Sequence, residues 1–176
     1  MENIRKKMNR YIGTKKIGAI AMTRGEYNNY RGWTIPENEN PTDEGFLVEY
    51  GADVKPNDSR HKGYITWTPK QAFEDTYRDV HKIDFGHALE LLKMGYKVAR
   101  EGWNGKGMYI ALQQGSTIKP SDARGGVAKC LADEGFNNID IFPHIDMRTA
   151  DGGVCVGWLA SQTDMLANDW CIVDND

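Results

Sequence analysis

Hydrophobic positions along this chain recur at two spacings, every second residue and every third to fourth, so short strands and short helices alternate from end to end. Near the start, Ile12, Ile17, Ile20 and Met22 interrupt a basic run of Arg5, Lys6, Lys7, Arg10, Lys15, Lys16 and Arg24. That pattern reads as a lysine-decorated strand edge rather than a nucleic-acid arm. Thr23 and Glu26 have the spacing of a capping box and predict a short helix through Glu26 to Tyr30 that stops at Arg31-Gly32. The proline-, asparagine- and acid-rich stretch from Trp33 to Glu44 favours turns. Gly45 to Tyr50 and Gly63 to Trp67 then read as paired strands across a loop containing Pro56-Asn57-Asp58. Thr68, with Pro69 at a first helical position and Gln71 at the capping distance, predicts a helix whose Phe73, Tyr77 and Val80 share a face.

Asp84 has the place of a cap for a further helix, whose Phe85, Ala88, Leu89 and Leu92 form an apolar stripe closed by Gly95. Lys97 to Arg100 and Met108 to Gln113 read as strands flanking Glu101-Gly102-Trp103-Asn104-Gly105-Lys106-Gly107, a glycine-punctuated loop too long for a two-residue hairpin. Ser121 to Asp133 reads as an inserted helix. Ile139 to Thr149 and Val154 to Leu159 alternate as hairpin partners around an Asp151-Gly152 turn. Ser161 and Asp164 repeat the capping spacing ahead of a short helix, and Trp170 to Val173 makes a last strand. The expected fold class is α+β: an antiparallel sheet with a packed N-terminal helix in a domain spanning residues 82–176, preceded by a small α+β module over residues 1–81.

Composition narrows the function classes. Among 176 residues, 22 basic and 25 acidic side chains leave a formal charge of −3, which does not favour a general polyanion-binding surface and argues against DNA as a partner. An anionic ligand must therefore meet a local site. Cys130, Cys155 and Cys171 are an odd set without CxxC spacing, which points to a reducing cytoplasm, and Cys155 and Cys171 lie in strand patterns as small buried apolar residues. No apolar run approaches the ~20 residues of a membrane span, so no membrane partner is expected. His144 and Asp146 would share a strand face, but no further ligand or nucleophile has a matching spacing, so a hydrogen-bonded structural histidine is the simpler reading and neither a metal nor a cofactor is expected.

From Ile83 onward the chain carries an ordered set of motifs. They are Asp84-Phe85-Gly86 with Ala88-Leu89, then Val98, Arg100 and Gly102-Trp103-Asn104-Gly105-Lys106-Gly107-Met108-Tyr109. His144-Ile145-Asp146-Met147 and Thr149-Ala150-Asp151-Gly152 follow, and then Trp158-Leu159-Ala160-Ser161-Gln162-Thr163-Asp164-Met165-Leu166-Ala167 with Asp169-Trp170. This half of the chain resembles the second family of phage Thoeris anti-defence proteins, departing from it at Gly157, where proline is usual, and between Gln113 and Asn138. The resemblance implies a protein of the infected host's cytoplasm that sequesters cyclic ADP-ribose isomers without cleaving them, as a homotetramer holding ligand between protomers. Some members also capture a cyclic oligonucleotide at a separate site. It implies no role for the N-terminal module.

Such a ligand presents an adenine face, riboses and a pyrophosphate. The resemblance makes Phe85, Trp103 and Trp158 stacking walls, each such contact contributing about 1–3 kcal/mol per base. Phe85 suits core and wall equally, Trp103 in its polar loop suits the wall, and Trp170 suits the core. Arg100 would supply a forked cation, and the amides opening the helix from Ser161 to Met165 would receive the pyrophosphate. Asn104, Gln162, Thr163 and Asp164 would read ribose hydroxyls and adenine edges. The alternatives are an enzyme hydrolysing the same signal through His144 and Asp146, and an interaction module using the N-terminal half.

Overall fold

The computed structural model describes Gly13 and residues 15–173, which form two compact units divided between Arg78 and Asp79. In the first unit, β1 (Gly18–Ala21), β2 (Gly45–Glu49) and β3 (Ile65–Pro69) make an antiparallel sheet in that order. Between β1 and β2 lies α1 (Arg24–Arg31), opened by the expected capping box: Thr23 accepts from the Glu26 amide, and the Glu26 carboxylate accepts from the Thr23 amide at 2.7 Å. Gly32, at a φ of 69°, closes the helix in the left-handed conformation. Tyr27, Leu47 and Ile65 are the core, with Met22, Tyr30 and Trp67 packed around them. Ile12 of the expected strand edge lies outside the described residues.

The helix expected to open at Thr68 begins later and ends sooner. Thr68 and Pro69 remain in β3, paired with Phe46 and Gly45, so α2 runs only over Lys70–Thr76 and has no side-chain cap. Sheet pairing holds the backbone extended where local spacing favours a cap. Tyr77 is already extended, although its ring still meets Phe73 with centroids 5.0 Å apart. Val80 belongs to the second unit, where its carbonyl accepts from the Ile172 amide at 3.1 Å.

That second unit is built on a five-stranded antiparallel sheet in the order β10-β4-β5-β8-β9. Its strands are β4 (Lys97–Arg100), β5 (Tyr109–Gln113), β8 (His144–Arg148), β9 (Val154–Cys155) and β10 (Trp170–Val173). One helix, α3 (Phe85–Lys93), packs against β4 and β10, its first turn capped by the Asp84 carboxylate, which accepts from the His87 amide at 2.9 Å. Ala88, Leu91 and Leu92 of α3 meet Ile83, Val98, Ile110, Trp170 and Ile172 in one buried cluster. The arrangement is α+β, with helices and antiparallel sheets in both units.

Three local expectations are corrected here. Ile139 to Thr149 is two strands: β7 (Ile139–Ile141) pairs with β6 (Ser116–Ile118), whereas β8 pairs with β5. Pro143, without an amide hydrogen to give a ladder, stands at the break. The inserted helix is a 3-10 turn at Pro120–Asp122 followed by α4 (Gly126–Asp133), separated where Gly125 and Gly126 take φ values of 152° and 60°. The β8–β9 hairpin forms, but β9 is only two residues long and lies at the sheet edge. Cys155 is consequently exposed, not buried; Cys130 is also exposed and Cys171 half-buried, and all three are free.

Candidate functional site

The residues expected to act together are brought to one end of the second unit by strand register. Trp170 of β10 pairs with Arg100 of β4, so the loop after Arg100 and the segment before Trp170 emerge side by side. The connecting turn contains α5 (Gln162–Met165), opened by a capping box between Ser161 and Asp164.

Four aromatic rings gather beneath this end. Trp170 is fully buried; its ring centroid lies 5.3 Å from Trp103, 5.4 Å from Phe85 and 6.2 Å from Trp158. Trp103 and Trp158 are 6.2 Å apart and Phe85 and Trp158 6.5 Å, in mostly edge-on arrangements that suit the ring quadrupoles. Trp103 is thus half surface and half core: its loop leaves it partly exposed, but it packs on the buried cluster alongside Phe85 and Trp158.

Above the rings, Arg100 bridges two carboxylates from distant positions. Its Nη1 donates to Asp164 at 2.9 Å, while Nε and Nη2 donate to Asp169 at 2.8 and 3.3 Å. Asp164 also accepts from the Trp103 indole at 3.2 Å, the Ser161 amide at 3.0 Å and the Ser161 hydroxyl at 2.6 Å. Asp169 accepts from the Gly102 amide at 2.9 Å. Burial pushes the Asp164 carboxyl up, but hydrogen bonds from Ser161, Arg100 and Trp103 outweigh it and hold it at about 2. The hydrogen bonds from Arg100 likewise lower Asp169, and the two carboxylates raise Arg100.

This network changes the expected division of labour. Arg100 was expected to offer a forked cation to a ligand, yet its fork is filled from within the fold. Asp164 was expected to read ligand hydroxyls, yet it is buried and its oxygens hold Arg100, Trp103 and Ser161. At α5, the Asp164 and Met165 amides bond back to Ser161, and the Asp164 carboxylate places negative charge at the helix start, where a phosphate would have to approach. Ser161, Gln162, Thr163 and Met165 are exposed, with the Ser161 and Thr163 hydroxyls 2.8 Å apart.

A cleft of about 400 Å³ opens beside the network, its walls including Arg100, Glu101, Trp103, Asn104, Lys106 and Met108. Arg100, Trp103 and Asn104 are therefore brought together at one concavity, whereas Phe85, Trp158 and the Ser161–Met165 turn lie outside its lining and reach it through Trp103 and Arg100. Sequence reasoning did not single out Glu101, Lys106 or Asp169. The first two were legible as charges in the polar loop; Asp169 becomes a partner of Arg100 only through the β4–β10 register.

His144 donates from Nδ1 to the Phe142 carbonyl at 2.8 Å, and its Nε2 lies 3.5 Å from Asp146, whose other contact is the Gly157 amide at 3.0 Å. Among the described residues, no group of three or more His, Cys, Asp or Glu side chains is placed to hold a metal, and no helix is long and apolar enough to cross a membrane.

Fold and cleft together define a small α+β domain with a concave surface of aromatic, amide and charged groups at one end of its sheet. A family model described as a Thoeris anti-defense 2-like domain matches residues 83–173, more than half of the chain. The chain is also 42% identical over 92 residues to Thoeris anti-defense 2 of Bacillus phage SP01, an alignment covering 52% of this chain and 96% of that protein. The chain belongs to the Thoeris anti-defense 2-like family, and that membership supports a phage anti-defence role.

Proposed function

We propose that this protein protects a phage by binding a cyclic ADP-ribose isomer in the infected cell and withholding it from its receptor, without cleaving it. The observation that carries the reading is the cleft itself, where the half-exposed Trp103 lines one concavity with Asn104 and the glycine-rich loop. An aromatic face accepts adenine, and short polar groups suit ribose hydroxyls. The Trp103 ring is held by its hydrogen bond to Asp164 and by its edge contacts to Trp158 and Trp170, so little order has to be imposed when a ligand arrives.

Nanomolar capture requires about −12 kcal/mol, beyond what one stacked base of about 1–3 kcal/mol and a few hydrogen bonds supply. Enclosure between copies of the chain meets the difference. Val154, Val156, Leu159 and Leu166 are exposed apolar side chains in the family-matched unit and offer surface for a homotetramer.

Capture and turnover are separated by one experiment. The full chain is incubated with the isomer, the bound fraction is isolated and then heat-denatured. Intact isomer is expected to reappear in stoichiometric amount. Its absence from the bound fraction overturns binding, and recovery of a hydrolysed product overturns sequestration in favour of an enzyme.

A further inference from the structure

We infer that Lys106, and not Arg100, is the cation that meets the phosphate oxygens of a nucleotide ligand in this cleft, and that Glu101 opposes it. The inference rests on the proposed binding of a pyrophosphate-bearing ligand and assigns the charge that such a ligand needs. Among the described residues, Arg100 and Lys106 are the two cations lining the cleft. Arg100 has all three guanidinium nitrogens committed to Asp164 and Asp169 at 2.8 to 3.3 Å, and one cation between two anions leaves a net negative group. To turn toward a phosphate, Arg100 would have to abandon two partly enclosed carboxylates and leave them without a cation. Arg100 is therefore a positioning residue: through Asp164 and Asp169 it fixes the Trp103 indole and the Gly102 amide.

Lys106 differs on each count. Its side chain is exposed, lines the same cleft, and has no hydrogen-bond, ion-pair or ring partner among the described residues. The loop that carries it is fastened on both sides, by Gly102 to Asp169 at 2.9 Å and by Arg148 to the Gly107 carbonyl at 2.5 Å. Its backbone is thus held at the cleft while its charge stays uncommitted. Glu101 lines the cleft from the other end of the loop, and its carboxylate has no hydrogen-bond or ion-pair partner among the described residues. A dianionic pyrophosphate gains from Lys106 and is repelled by Glu101, so neutralising the two must change affinity in opposite directions.

The test is calorimetric titration of the full chain with the cyclic ADP-ribose isomer at low and high salt, using wild type, Lys106→Gln, Glu101→Gln and Arg100→Lys. Lys106→Gln is expected to weaken binding about tenfold at low salt and to flatten the salt dependence, while Glu101→Gln strengthens it about threefold. Both side chains are exposed, so thermal melting of these two variants matches wild type. Arg100→Lys lowers the melting temperature and weakens binding while leaving the salt slope in place. Wild-type binding with Lys106→Gln unchanged in affinity and slope overturns the assignment and leaves sequestration standing. Absence of wild-type binding overturns sequestration, and the assignment with it.

Discussion

At the scale of single residues, Asp164 determines more than any other side chain at this site, because one carboxylate accepts from Ser161, Arg100 and Trp103. Burial raises its affinity for a proton, but the three donors outweigh burial and hold the folded value at about 2, below the ordinary 3.8. A carboxyl depressed in this way binds fewer protons folded than unfolded, so its contribution to stability is fully present above about pH 4 and is lost as pH falls through about 2. The contribution is on the order of 2 kcal/mol. Urea unfolding of the second unit, followed by tryptophan fluorescence, should show its midpoint falling across that interval. In Asp164→Asn the starting stability is lower and the decline shallower. An equal decline in both proteins would mean that another acid controls the transition.

At the scale of elements, the two capping boxes show what a sequence can disclose. Thr23 with Glu26, and Ser161 with Asp164, each exchange hydrogen bonds over three residues, so their information is local and both form as expected. Thr23→Ala should cost about 1 kcal/mol and lower the melting point of the first unit alone; a change in the second unit instead would contradict it. Thr68, Pro69 and Gln71 have an equally suggestive spacing and fail, because β2 claims Thr68 and Pro69 as strand partners and no local rule registers that competition. The Ile139–Thr149 run had a legible break at Pro143, and the inserted helix one at Gly125-Gly126, where residue chemistry prevails over apolar alternation. The candidate site was legible to the same degree. A tryptophan in a glycine-punctuated polar loop marks a surface feature, and Arg100, Trp103 and Asn104 do converge on the cleft. That Asp169 and Asp164 would take the Arg100 fork follows from strand register across more than sixty residues, which no spacing encodes.

At the scale of the whole molecule, the division at Arg78 and Asp79 gives each unit its own sheet and its own buried cluster. The family match, residues 83–173, lies within the second unit, and the Bacillus phage relative is matched over 96% of its length. The cleft, the aromatic cluster and the Arg100 network are likewise drawn wholly from that unit. A domain of about a hundred residues buries enough surface to fold alone. Residues 79–176 expressed by themselves should therefore melt cooperatively and bind the cyclic ADP-ribose isomer within about twofold of the full chain, since the ordering cost of the site is met inside the unit. Calorimetric melting of the full chain should in turn resolve two transitions, with Thr23→Ala moving one and Asp164→Asn the other. A fragment that folds but loses affinity by tenfold or more would place a ligand contact in the first unit and give that unit a direct part in capture.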